Sequence, residues 1–211
     1  MKKCVFLFMF LMGGLTLSAQ KTIADVFATG EVVWYGLDFT NTKFVGVYGS
    51  GAGTAEDIKK NLMPSWNNLI ISEPGKYDLG TTFKKHPVIN DLREVTKANQ
   101  NIDESGIIDF NNYRFAKPEE VIANAVAGYG TGAQESGLGL VFIVECFDKN
   151  AVDASLYVTF FDIATKKVLM TERVTGKPAG FGLRNYWGGG IYGILKQIQK
   201  QEYKSWSVKY K

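Results

Sequence analysis

The clearest pattern of hydrophobic and polar positions lies in the last third of the chain. Stretches 138–147, 154–163 and 167–175 are rich in β-branched and aromatic residues and predict three successive strands. Because only a short turn at 164–166 separates the last two stretches, we expect them to pair as an antiparallel hairpin. From about 184 to 203, apolar residues recur at spacings of three and four, which predicts an amphipathic helix with one buried face.

The first two thirds of the chain predict shorter elements joined by longer connections. These elements are strands at 31–37 and 88–95, an apolar stretch at 44–48, a helix at 54–71 that Pro64 breaks or kinks, and a helix at 117–127. We expect the segments 73–86 and 97–116 to be loops and connections. The order β-α-β-α-β-β-β-α predicts a single α+β domain, with a mixed or antiparallel sheet and helices packed mainly on one face.

The first 19 residues have the features of a secretory signal peptide. Two lysines precede an apolar run at 5–12, and small residues follow before position 20. Cys4 lies too early to be the acylated cysteine of a lipoprotein. No other apolar stretch approaches the roughly 20 residues of a membrane span. We therefore expect a signal peptide at 1–19 and one exported domain at 20–211, which is periplasmic, secreted or associated with the outer membrane.

The charge of the chain argues against nucleic acid as a partner. The full sequence carries 24 basic and 21 acidic residues, and removal of the two signal lysines leaves it close to neutral. Affinity for nucleic acids comes largely from lysines and arginines that neutralise phosphates, so we expect no nucleic-acid binding.

One histidine and one cysteine remain after the signal peptide, which limits the chemistry that the chain can support. His86 and Cys146 are too few for a zinc site with nitrogen and sulfur ligands, and Cys146 has no partner for an intramolecular disulfide. Cys146 continues the apolar alternation of its strand, so we expect a small core residue. The acidic segment 148–153 lacks the glycine and the glutamate of a calcium loop. We therefore expect a hairpin loop there, and no metal or cofactor.

The glycine-rich segment at 49–53 is the first candidate site. Such glycines before a helix let backbone N–H groups converge on an anion. A dinucleotide fingerprint would need glycine at Thr54, and the lysine of a phosphate-binding loop is absent. We favour a flexible loop and keep anion binding as the alternative.

The segment 180–190 combines many glycines with polar and aromatic residues. Three consecutive glycines at 188–190 cost a helix roughly 1 kcal/mol each, so close packing or a ligand must compensate. Residue types enriched at binding interfaces stand just before them and form our predicted contact patch: Arg184, Asn185, Tyr186 and Trp187. The alternative is that Arg184 pairs with a carboxylate such as Asp162 while Trp187 fills the core.

Two acidic residues are candidates for burial. Glu145 lies within a predicted strand and Asp38 directly follows another. A buried acid needs a partner, and Arg173 or Arg184 could pair with Glu145. A pair of carboxylates could instead support glycoside hydrolysis, which would require a sugar cleft between them.

Several motifs resemble those of other exported proteins. Together with the end of the signal peptide, the segments Gly36-Leu-Asp-Phe39, Phe160-Phe-Asp-Ile163 and Gly182-Leu-Arg-Asn-Tyr-Trp187 resemble an uncharacterised family of secreted Bacteroidota proteins. That resemblance implies export and no particular activity.

A second resemblance concerns the hairpin 161–169 followed by an amphipathic helix. The pattern is similar to envelope domains: the periplasmic domain of the curli secretion channel, the amino-terminal domain of the Tol-system propeller protein, and outer-membrane activators of peptidoglycan synthases. These proteins carry a glycine where Lys166 stands here. The resemblance implies a non-enzymatic interaction or assembly module, whose partner is an envelope protein or a surface polymer. Binding of a glycan, peptide or lipid, and a carboxylate-based hydrolase, are the alternatives.

Overall fold

The computed structural model describes residues 20–48 and 53–210. The predicted signal peptide at 1–19 and residues 49–52 of the predicted glycine-rich loop lie outside the described residues. No helix in the described part of the chain is both long enough and apolar enough to cross a membrane.

The described residues form seven strands and eight α-helical segments. The strands are β1 (Val32–Asp38), β2 (Lys43–Val45), β3 (Val88–Asn90), β4 (Ile108–Asp109), β5 (Leu138–Asp148), β6 (Asp153–Asp162) and β7 (Val168–Gly176). The helices are α1 (Ile23–Ala28), α2 (Ala55–Asp57), α3 (Met63–Ser72), α4 (Leu79–Phe83), α5 (Arg93–Gln100), α6 (Pro118–Ala127), α7 (Gly182–Gln197) and α8 (Tyr203–Lys209).

All seven strands belong to one sheet. Five of them, in the order β3-β1-β5-β2-β4, pair in parallel. Antiparallel pairing is limited to the meander β5-β6-β7 on the other edge of β5. The prediction of a mixed or antiparallel sheet with helices mainly on one face is therefore wrong. It missed the parallel pairing of these five strands, and helices pack on both faces of the sheet. The chain does have an α+β fold.

Strands β1 and β2 lie end to end along one edge of β5. β6 occupies the opposite edge along the whole of β5, so β1 pairs with residues 139–143 and β2 with residues 146–148 on the remaining edge. β3 pairs only with the start of β1, and β4 pairs only with β2. Within the described residues, no strand therefore occupies the outermost position between the end of β3 and the start of β4.

Hydrophobic residues cover both faces of the sheet. The larger core packs the long helices α3 and α7 against one face, with Trp66, Phe142 and Ile191 fully buried. A smaller core packs α6 against the other face through Ile122 and Val126. Helices on both faces are the expected consequence of parallel strands, because each crossover must pass over one face of the sheet.

Two π-helical turns join successive helices, and the second carries the last helix beyond its predicted limit. The turn Ile58–Leu62 joins α2 to α3, and it ends just before Pro64, which lacks the N–H group of a regular helix. The turn Ile198–Glu202 likewise joins α7 to α8, so the last helix runs to Lys209 instead of ending near 203.

Three segments differ from their predictions. The expected loop 73–86 contains α4, and the expected strand 88–95 is a three-residue strand followed by the start of α5. The expected connection 97–116 contains the end of α5, a 3₁₀ turn and β4. These are the elements that depend most on pairing with distant parts of the chain.

Candidate functional site: a groove at the start of helix α7

A cavity of about 810 Å³ opens at the start of α7. We call it the α7 groove. Its lining comes from the end of the β2 segment, the π-helical turn before α3, the β5–β6 hairpin and the start of α7: Tyr48, Leu62, Lys149 and residues 180–186. Three residues of the predicted contact patch, Arg184, Asn185 and Tyr186, therefore lie at one cavity.

A glycine turn shapes the entrance of the groove. Gly180 and Gly182 have φ angles of +128° and +75°, which residues with a Cβ rarely adopt. The turn leaves Phe181 between them with 95% of its surface exposed. The Ala179 N–H donates to the Tyr186 carbonyl (3.1 Å), which closes the turn onto the first turn of α7. An apolar side chain is thus held in solvent by a well-defined backbone.

The three consecutive glycines of α7 are explained by close packing. A Cβ on Gly188 would lie 2.6 Å from the Leu69 side chain, and one on Gly190 would lie 3.1 Å from the Ala154 side chain. Gly189 faces the backbone of Ala179 in the same way. The glycines therefore allow α7 to approach neighbouring segments closely and do not line the groove.

Arg184 is held by neutral groups. Its Nε donates to Ser65 Oγ (2.8 Å) and its Nη1 donates to Asn185 Oδ1 (3.1 Å). The suggested partner Asp162 instead accepts hydrogen bonds from the N–H groups of Lys21 and Thr165. The arginines that form ion pairs within the described residues are others: Arg93, Arg114 and Arg173. Among residues 20–48 and 53–210, no carboxylate therefore forms an ion pair with the Arg184 guanidinium at the groove.

Trp187 is not part of the accessible patch, contrary to its place in the predicted set. It is fully buried and stacks on Phe147, with ring centroids 4.6 Å apart. Tyr48 stacks on it with ring centroids 6.0 Å apart, and Tyr186 meets it edge-on at 5.1 Å. Trp187 thus forms the support beneath the two tyrosines that line the groove.

A second cation, Lys149, lies at the groove beside the aromatic ring of Tyr48. Lys149 Nζ donates to the Val47 carbonyl (2.9 Å) and lies 5.2 Å from the centroid of the Tyr48 ring. The Tyr48 hydroxyl donates to the Phe147 carbonyl, and burial raises the pKa of Tyr48, so it stays neutral. Val47 is 72% exposed next to this tyrosine. The described lining residues thus include two cations and no acid.

Sequence reasoning missed Phe181, Tyr48 and Lys149. Phe181 carried a usable signal, because an aromatic residue between two glycines sits in a turn and has little local structure in which to bury itself. Tyr48 and Lys149 carried no local signal. They reach the groove because β2 lies beside β5 and brings its end next to the β5–β6 hairpin.

Glu145, one of the two predicted buried acids, is an ion-pair partner in the smaller core. It is fully buried and its Oε2 lies 2.7 Å from Arg173 Nη2. It also accepts hydrogen bonds from the Phe115 N–H and from the Ser155 hydroxyl, both at 3.0 Å. Arg173, and not Arg184, is therefore its partner.

Asp38, the other acid, is also fully buried at the end of β1. Its Oδ1 accepts from the Thr40 N–H (2.8 Å) and hydroxyl, and its Oδ2 accepts from the Tyr129 hydroxyl. Neither Asp38 nor Glu145 lines the α7 groove. All of their oxygens are engaged by the protein, which is the arrangement of structural carboxylates.

Cys146 and the β5–β6 hairpin show no metal-binding arrangement. Burial raises the pKa of the Cys146 thiol to about 12, so it remains protonated near neutral pH. Asp148 accepts from the N–H groups of Asn150 and Ala151, both at 2.8 Å, which closes the hairpin turn. Within residues 20–48 and 53–210, no group of three histidine, cysteine or acidic residues is placed to hold a metal ion.

Comparisons with known proteins add little to this picture. No family model and no curated protein matches the chain. A solved structure of a hypothetical protein, CT253 from Chlamydia trachomatis, aligns over 86% of this chain and 98% of its own, with 11% identity and a TM-score of 0.35. A match at this level carries no information on function.

Proposed function

We propose that the protein is an exported, non-enzymatic interaction module of the cell envelope, which binds an acidic, partly apolar segment of a partner protein in the α7 groove. The observation that carries the proposal is the groove's combination of an exposed Phe181 with two cations and no acid among the described lining residues. Export is inferred from the first 19 residues of the sequence.

The exposure of the aromatic residues favours a macromolecular partner. Pockets for small molecules enclose their ligand and line it with side chains that are themselves largely covered. Here Phe181 is 95% exposed at the rim and Val47 is 72% exposed nearby. Exposed apolar side chains grouped around a groove are typical of protein interaction surfaces.

The charges favour an acidic partner. Within the described residues, the Arg184 guanidinium donates hydrogen bonds to neutral groups, and Lys149 lines the same cavity. A carboxylate placed between them gains charge-assisted hydrogen bonds, and the complementarity accelerates association. An acidic residue next to an apolar residue would contact both the cations and Phe181.

A catalytic role lacks support in the described residues. The two candidate carboxylates, Asp38 and Glu145, are buried and fully bonded, and the Cys146 thiol stays protonated. A hydrolase would need one such group facing a substrate cleft. Binding is therefore the function that the groove supports best.

A selection of displayed random peptides tests the proposal. Peptides selected on the wild-type protein should be enriched in aspartate or glutamate beside aromatic or aliphatic residues, and their affinity should fall with added salt. Phe181→Ser and Arg184→Ala should each weaken the binding of a selected peptide about tenfold or more. Phe110→Ser is the matched control, because Phe110 is also strongly exposed (70%) but does not line the groove.

The outcomes separate the candidate functions. Peptides that bind all variants equally, or that lack acidic residues, would contradict the proposal. Failure of any peptide to bind, together with a rise in melting temperature on adding small molecules that Arg184→Ala abolishes, would replace a protein partner with a small ligand at the same groove.

A further inference from the structure

Two asparagine side chains occupy the strand position that is left open between β3 and β4. Asn67, from α3, accepts from the Leu37 N–H (2.7 Å) and donates to the Leu37 carbonyl (3.1 Å). Asn99, from α5, donates to the same carbonyl (2.9 Å) and accepts from the Phe39 N–H (2.8 Å). These side chains replace the hydrogen bonds that a continuous outer strand would make to the end of β1.

A cavity of about 400 Å³ opens over these two asparagines, between α3 and α5. We call it the amide cleft. It is separate from the α7 groove, with which it shares no lining residue. Its lining is Lys59, Pro64, Asn67, Asn68, Ile71, Asn90, Leu92, Thr96, Asn99 and Gln100.

The topology makes this end of β1 a favourable place for a ligand. From β1 the chain first forms β2, which continues along the same edge of β5, and then passes over one face of the sheet through α3 to reach β3 on the outer side of β1. In open parallel sheets ligands commonly bind beyond the carboxyl ends of the strands. The cleft lies there, since Asn90 is the last residue of β3.

The chemistry of the lining selects an uncharged ligand. Its described residues include no acid, and its one cation, Lys59, lies 3.1 Å from Glu104 in an ion pair. The remaining polar groups are carboxamides and a hydroxyl, of which Asn68, Asn90, Thr96 and Gln100 are exposed to an incoming molecule. Each carboxamide both donates and accepts hydrogen bonds.

We propose that the amide cleft binds a neutral sugar. Sugar hydroxyl groups donate and accept at the same atom, which matches exposed carboxamides better than a charged group does. Pro64, Ile71 and Leu92 supply an aliphatic surface for the C–H faces of the ring. The cleft volume lies within the range of small-molecule sites. Asn67 and Asn99 are held by the β1 backbone, so they fix the floor before the sugar binds.

An NMR titration of the ¹⁵N-labelled protein with maltose, cellobiose and diacetylchitobiose tests this site. We expect at least one disaccharide to shift the side-chain amide signals of Asn68 and Gln100 with a millimolar dissociation constant. The double variant Asn68→Ala/Gln100→Ala should weaken binding about tenfold or more, since two hydrogen-bonding groups are removed. Asn124→Ala is the matched control, because Asn124 is an exposed amide on α6, away from the cleft.

Each other outcome would overturn the inference. Absence of binding by all three disaccharides would do so, as would binding that the double variant leaves unchanged. A blocked alanine tripeptide should not shift the two amide signals. If the tripeptide binds there and the sugars do not, the cleft accepts extended peptide instead. Both mutated side chains are exposed, so a matching melting temperature of the double variant and Asn124→Ala would separate lost binding from lost folding.

Discussion

Gly189 meets the backbone of Ala179 so closely that a Cβ on Gly189 would lie 2.0 Å from the Ala179 carbonyl oxygen. This contact holds the start of α7 against the segment that leads into the Phe181 turn. The neighbouring Gly193, one turn further along α7, is far less restricted, since its Cβ would have only the Lys177 carbonyl within reach, at 3.9 Å.

The two glycines therefore predict opposite effects of the same substitution. Gly189→Ala should lower the free energy of unfolding by about 2 kcal/mol or more, because a backbone carbonyl cannot move aside as a flexible side chain can. Gly193→Ala should leave stability unchanged or raise it by up to about 1 kcal/mol through better helix propensity. Urea unfolding of both variants checks this, and equal destabilisation would show that helix flexibility, and not contact with Ala179, requires the glycines.

Lys85 predicts a pH dependence of stability. It is fully buried, and its Nζ donates to the carbonyls of Val26 (2.6 Å) and Thr29 (2.5 Å) at the end of α1. Burial lowers the pKa of Lys85 to about 8. In the unfolded chain a lysine has a pKa near 10.4. At pH values between these two pKa values, Lys85 is therefore protonated in the unfolded chain and mostly deprotonated in the folded protein.

Because the unfolded state binds more protons in that window, the contribution of Lys85 to stability should rise with pH from about 8 to about 10. This contribution should not exceed about 3 kcal/mol across the window. Buried tyrosines with a raised pKa, such as Tyr77 and Tyr203, act in the opposite direction near pH 10. The stability of the wild-type protein relative to Lys85→Met, which lacks the titrating group, should therefore rise over this range. Parallel pH profiles of the two proteins in urea unfolding would show that the Lys85 amine keeps its ordinary pKa in the folded state.

The buried ion pair of Glu145 and Arg173 predicts an asymmetry between variants. Arg173→Met leaves a buried carboxylate without its main counter-charge, and should cost about 3 kcal/mol of stability. Adding Glu145→Met removes that uncompensated charge and should restore part of the loss. A double-mutant cycle measured by urea unfolding tests this. If the second substitution adds its full cost to the first, the two side chains are not coupled.

The sequence predicted the strongly periodic parts of the fold and failed at the parts that depend on distant partners. β5 and β6 are long strands that are buried almost throughout, and α7 carries a long series of buried residues, so their local signals survive in the structure. β4 has only two residues and exists because Ile108 pairs with Phe44. The parallel pairing of β1, β2 and β3 likewise has no local signature, which is why the sheet was predicted incorrectly.

The candidate site was likewise predicted only in part. Arg184, Asn185 and Tyr186 were predicted because their residue types are enriched at binding interfaces, and they do line one cavity. Trp187 stood out for the same reason but lies one residue further around the helix, where it faces the core. Sequence position alone does not distinguish these neighbours. The packing of α7 against β5, through Trp187 and Phe147, decides which of them is accessible.

Site-specific photocrosslinking in intact cell envelopes tests the central claim most directly. A photoreactive phenylalanine analogue replaces either Phe181, at the groove, or Phe110, which is 70% exposed elsewhere. The account predicts a discrete crosslinked protein from position 181 and not from position 110, and its loss when Arg184→Ala is added. The same crosslinking pattern from both positions, or a pattern from position 181 that Arg184→Ala leaves unchanged, would contradict a partner-binding groove at the start of α7.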